Sequence, residues 1–144
     1  MMYLSTHFTA DEFTQSQTAA REGINNDLPI DLVPAAKRTA QGLELVRILL
    51  NAHPVLISSG YRCPELNEKV GGSKLSQHML AEAADITVPT YGTPAQVVAA
   101  IVRSSIPYDQ CILEYGRWCH ISFSDLNRKQ ALVIDKSGTR SYVA

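Results

Sequence analysis

No apolar run in this 144-residue chain approaches the ~18–20 residues a helix needs to cross a bilayer, so no integral membrane association is expected. Neither sign of charge is in excess. Thirteen basic and 14 acidic side chains leave a formal net charge of −1, which argues against a nucleic-acid partner. Cysteine is scarce: Cys63, Cys111 and Cys119 form no C-x-x-C pair and are odd in number, so a disulfide framework is not expected. Residues 1–7 carry neither the basic nor the apolar stretch of a secretory signal, which points to synthesis in the cytoplasm. Repeats, low-complexity tracts and charge blocks are also lacking. The length suits one domain spanning residues 1–144, and a monomer is expected.

What is present is an ordinary globular mixture, 45% apolar and 19% charged, enough for a real core. Thr9-Ala10-Asp11-Glu12 has the form of a capping box and predicts a short helix over residues 10–17. A loop at 23–29 with Asn25-Asn26-Asp27 leads to a long helix over 32–51, with Pro34 tolerated in its first turn. Residues 55–57 and 83–88 read as strands, and 64–70 as a short helix. Thr93-Pro94-Ala95-Gln96 opens a further helix that ends before Pro107. Two hairpins follow, over 110–123 around Gly116 and over 131–143 around Gly138. Helices early and antiparallel strands late predict an α+β fold, helices packed on a small antiparallel sheet.

Two ionisable residues interrupt apolar strands. Asp85 lies in Ala83-Ala84-Asp85-Ile86, seven residues after His78, and His120 lies in Trp118-Cys119-His120-Ile121. A carboxylate in such a strand is costly to bury unpaired; it either faces water or meets a cation. His78, Asp85 and His120 together make three ligands, the number that catalytic zinc takes while keeping a position open. Cys119, next to His120, should point to the opposite face of the strand. Glu114 is the candidate general base. A two-residue turn would put it on the face away from His120; a three-residue turn over 115–117 would put it on the same face, and the odd-numbered turn is expected. Arg62, just beyond a strand end, supplies the positive group for a substrate carboxylate or an oxyanion. His7 and His53 are assigned structural or solvent-exposed roles. Trp118 either walls the cleft or packs in the core.

The combination Ser76-x-His78-x-x-Ala81-x-Ala83-x-Asp85, Glu114 and Trp118-x-His120 resembles the zinc D-Ala-D-Ala carboxypeptidase family, which includes phage L-alanyl-D-glutamate endolysins and shares its fold with hedgehog domains. Residues 7–19, Ser59-Gly60-Tyr61-Arg62, Asn67 and Val70-Gly71-Gly72-Ser73 are similar to the short members of that family. The resemblance implies Zn2+ held by His78, Asp85 and His120, with Arg62 at the substrate or oxyanion and Glu114 near the acid/base position. Ser76, Gln77 and Trp118 are expected to contact substrate. It further implies hydrolysis of peptidoglycan stem-peptide bonds, by a carboxypeptidase or an L-Ala-D-Glu endopeptidase, with action on the wall after release or holin-mediated export. Two positions depart from the pattern: Arg117 stands where many members have an acid, and Ala81 where glycine is common. The first departure favours an alternative, a non-catalytic zinc-containing module that binds peptidoglycan or serves a phage or envelope assembly.

Overall fold

The computed structural model describes residues 2–143. The chain opens with a Thr9-capped helix α1 (Ala10–Thr14), whose reciprocal Glu12 contact completes the predicted capping box. The expected 10–17 helix is two helices. Gln15 turns extended, and Ser16 starts α2 (Gln17–Glu22) by accepting from the Ala19 N–H; Gly23, at φ 68°, ends it. The hydroxyl at Ser16 outcompetes continuation of the first helix. A 3₁₀ turn (Ile30–Leu32) leads into α3 (Val33–Leu49), whose Pro34 falls in the first turn. Strand β1 (Leu56–Ser59), helix α4 (Pro64–Lys69), a second 3₁₀ turn (Gln77–Leu80) and strand β2 (Ala83–Thr87) follow. Helix α5 (Pro94–Arg103) starts at the second capping box. Strands β3 (Gln110–Glu114), β4 (Trp118–Ser122), β5 (Gln130–Asp135) and β6 (Gly138–Ser141) complete the chain.

Among the described residues the strands form one six-stranded sheet, ordered β1-β2-β4-β3-β5-β6. Every pairing is antiparallel except β3 with β5, which is parallel. The α+β reading therefore holds, and the parallel pair is the one departure from an antiparallel sheet. Side chains on successive strand residues alternate between faces. One face, carrying Ala84, Ile86, Cys119, Ile121 and Cys111, packs into the main core with Leu43 and Val46 of α3 and Val97, Val98 and Ile101 of α5. The other face carries Asp85, His120, Trp118, Ile112 and Glu114. Burying one face against two helices leaves the second free to build a cleft. A small cluster of Ala19, Ile24 and Leu66 ties α2 to α4 at the rim of that cleft. No described helix is long and apolar enough to cross a membrane.

Candidate metal centre

His78 is delivered by the second 3₁₀ turn. Ser76 caps that turn, its Oγ accepting from the His78 N–H at 3.1 Å. The turn ends at Ala81, which adopts a left-handed conformation (φ 58°) and sends the chain into β2. Its carbonyl is fixed by the Thr39 hydroxyl at 2.7 Å. The position where glycine is common in the family pattern is thus one where the backbone does run left-handed. His78 is 2% exposed, and its Nδ1 lies 2.6 Å from the Gly60 carbonyl. A carbonyl only accepts, so Nδ1 carries the proton and Nε2 presents its lone pair. Gly60 can approach because it lacks a side chain: a Cβ there would lie 2.6 Å from the Phe13 carbonyl oxygen.

Asp85 and His120 sit directly opposite each other on β2 and β4. The His120 Nδ1 lies 3.0 Å from Asp85 Oδ1, and the His78 Nε2 lies 3.3 Å from the same oxygen. The two imidazoles meet edge to face, centroids 5.0 Å apart. Burial works against charge on Asp85, but the adjoining His120 and His78 rings prevail and hold its carboxyl below the ordinary range. Burial lowers His78, with Asp85 opposing, which favours the neutral ligand form. One donor atom from each of His78, Asp85 and His120 lies within 4.8 Å of the others, and all three residues are buried. A tetrahedral ion with bonds of ~2.0–2.1 Å holds its donors ~3.3 Å apart, close to the two spacings measured here. Two imidazole nitrogens and one carboxylate oxygen suit zinc chemically. The residues fit the ion.

Glu114 closes β3 opposite Trp118, so the turn between them has three residues, with Tyr115 and Gly116 both at positive φ. This is the odd-numbered turn, and it brings Glu114 to the His120 face, Oε1 3.8 Å from Nδ1. Burial and then the Asp85 charge push the Glu114 carboxyl above the ordinary range, with His120 and Arg62 opposing. Arg62 is anchored by its own N–H on the His78 carbonyl (3.1 Å) and by Nη2 on the Ser76 hydroxyl (3.3 Å). Its Nε is buried without a partner, as is the Trp118 Nε1. Trp118 lies on the cleft face, with Tyr115 beside it at 6.1 Å.

Ser76 and Gln77 border the same cleft, yet their polar groups also face inward. Gln77 donates to Asp109 Oδ2 at 2.8 Å. Asp109 is fully buried and receives Nε and Nη2 of Arg128, both at 2.8 Å. This brace, and the Gly60 carbonyl behind His78, are parts that sequence reasoning missed. A carbonyl leaves no trace in side-chain identity, and Arg128 lies 19 residues from Asp109. Cys119 points away from the centre, as its strand position required, with its sulfur 3.9 Å from that of Cys111 in the core. His7 pairs with Glu44 on the surface and His53 with the Thr90 hydroxyl; neither joins the site.

A family model described as Peptidase M15 matches residues 6–122. The match contains Arg62, His78, Asp85, Glu114 and His120 and stops at the last residue of β4. A search of the curated proteins finds no match to the chain.

Proposed function

Since the chain belongs to the M15 peptidases, a family of zinc metallopeptidases, we propose that it hydrolyses peptidoglycan stem-peptide bonds, D-Ala-D-Ala or L-Ala-D-Glu, and that residues 1–144 form one catalytic domain. The observation that carries this reading is the meeting of His78, Asp85 and His120 on one sheet face with Glu114 and Arg62. In this reading His78 Nε2, Asp85 and His120 Nδ1 hold the ion. Zinc, when bound, supplies a Lewis acid that acidifies water and polarises the scissile carbonyl.

The protein's own groups do the rest. Glu114 accepts the proton of the attacking water at a carboxylate oxygen. It returns that proton to the departing amine nitrogen as the peptide C–N bond breaks. Its raised affinity for a proton, a product of burial, suits both halves of that exchange. The Arg62 guanidinium balances the negative charge that grows on the carbonyl oxygen or grips a substrate carboxylate. Trp118 walls the cleft, and Ser76 and Gln77 border it.

The non-catalytic alternative drew on Arg117 in place of an acid. Glu114, carried to the His120 face by the three-residue turn, supplies a carboxylate to the site from a different position. In this reading the protein acts on the wall after release or holin-mediated export. The test is clearance of permeabilised Gram-negative cell walls: the wild type should clear them, and His120→Ala should not. Equal clearance by both would remove the metal centre from the reaction.

A further inference from the structure

We propose that Arg128 binds a free carboxylate on the substrate, near the cut bond. This rests on the peptidase reading above and gives it a residue that sets substrate preference. Arg128 lies beyond the matched residues 6–122, in the segment between β4 and β5.

The cavity that holds His78, Asp85, Glu114 and His120 has a volume of about 660 Å³, and both Arg62 and Arg128 stand on its border. That volume is within the ~300–1,000 Å³ typical of ligand sites. Strand β3 sets the spacing along it. Ile112 stands directly opposite His120, and Glu114 lies two residues past it. Gln110 lies two residues before it, and Asp109, which holds Arg128, precedes Gln110. A strand rises ~3.3 Å per residue, so Gln110 stands roughly 7 Å along the sheet from the row of Ile112 and His120. About two extended substrate residues span that length. Arg128 is therefore anchored at the end of β3 away from the base, with Ile112 and the metal ligands between.

The Arg128 side chain is held in one direction. Its Nε and Nη2 each donate to an Asp109 oxygen at 2.8 Å, and its backbone N–H donates to the same carboxylate at 3.0 Å. The Asp109 side chain is fully buried, whereas that of Arg128 is 46% exposed. The anion of the pair thus lies inside and the cation borders the cleft. Pairing through Nε and Nη2 leaves Nη1 without a partner among the described residues. The guanidinium is planar, so fixing one edge fixes the direction of its other donors. Asp109 also receives Gln77 Nε2 at 2.8 Å, and Gln77 adjoins His78 in the chain. Arg128 and a metal ligand are thereby tied into one hydrogen-bonded unit. A carboxylate accepts charge-assisted bonds from such a donor; a carboxamide brings no charge to it. The carboxylates of the cleft itself, Asp85 and Glu114, stand beside His78 and His120 instead. With the substrate carboxylate on Arg128, Arg62 is left to the oxyanion.

The experiment measures kcat/KM of the zinc-loaded protein on defined stem peptides in which each carboxylate, terminal or side-chain, is replaced in turn by its carboxamide. Mass spectrometry locates each cut. In the wild type one replacement, within about two residues of the cut, should lower kcat/KM by about tenfold or more, the scale of a lost hydrogen bond to a charged group. Its position tells a chain terminus from a side chain. In Arg128→Lys the ratio between that peptide and its amide should fall below about threefold, because one ammonium held on Asp109 has no second edge to offer. This variant keeps a cation on Asp109 and so should fold, which Tm and zinc content check. Arg128→Gln should show the same fall in the ratio. A wild type indifferent to every amidation overturns the inference, with no need of a variant, and leaves the peptidase reading intact. An unchanged ratio in the folded variants, or a sensitive carboxylate farther from the cut, does the same. No cleavage of any peptide by the wild type overturns both.

Discussion

At Ala81 the backbone takes a left-handed turn that an L side chain adopts at a cost of roughly 1–2 kcal/mol. That turn separates His78 from Asp85 and sets their approach. Ala81→Gly should change stability by no more than about 1 kcal/mol, since relief of strain offsets the lost methyl burial. Ala81→Val should cost about 2 kcal/mol or more, because a β-branched residue at this φ is an outlier; urea unfolding of both variants checks the pair. Glu114→Gln keeps the shape of the cleft but cannot take a proton. It should retain zinc, measured by metal analysis, and lose about 10²–10⁴-fold in turnover. A fully active Glu114→Gln would assign the base to another residue. Asp85 and His120 were legible because ionisable side chains in apolar strands demand partners, and His78 through its spacing from Asp85 and the motif around it. Glu114 was legible only conditionally, since a one-residue change in the turn reverses its face. The inward contacts of Ser76 and Gln77 were not legible. Each side chain both borders the cleft and holds a neighbour, and residue type alone does not separate these.

Among the elements, the short 3₁₀ turn that carries His78 has little stability of its own. It is held by Gly60 beneath His78 and by Asp109 through Gln77. The hydrogen bonds from Arg128, foremost, hold the Asp109 carboxyl well below the ordinary carboxylate range. The folded state therefore lowers its pKa relative to ~3.9 in the unfolded chain. The stabilisation is full above the unfolded value and is lost as pH falls toward the folded one. Asp109→Asn should accordingly be less stable than wild type at pH 7, with the gap narrowing below about pH 4 in thermal melts. A gap independent of pH would mean that the charge of Asp109 is not what stabilises this brace. The same scale shows where local sequence signals reached their limit. Capping boxes located the starts of α1 and α5 to within a residue, because the signal and its effect lie in one turn. The split at Ser16 was a competition between two caps, and the parallel β3–β5 pairing depends on contacts some 20 residues apart.

For the whole molecule, one sheet serves two purposes. Its packed face, against α3 and α5, carries the core and two of the thiols; its open face carries the centre and the cleft around it. Three buried ligand residues drawn from the 3₁₀ turn, β2 and β4 should make metal binding contribute to stability. Removing zinc with a chelator should lower Tm, and readdition should restore it, by an amount that grows with the logarithm of free zinc over Kd. In His120→Ala the shift should vanish. The central claim is that this His-Asp-His centre performs peptide hydrolysis with Glu114 as the base. It is tested most directly by the rate of fragment release from one defined muropeptide, measured by mass spectrometry for zinc-loaded, chelated and Glu114→Gln protein at equal concentration. The account predicts turnover from the zinc-loaded wild type and a loss of it in the other two. Equal rates in all three, or no release by the zinc-loaded protein, would contradict it.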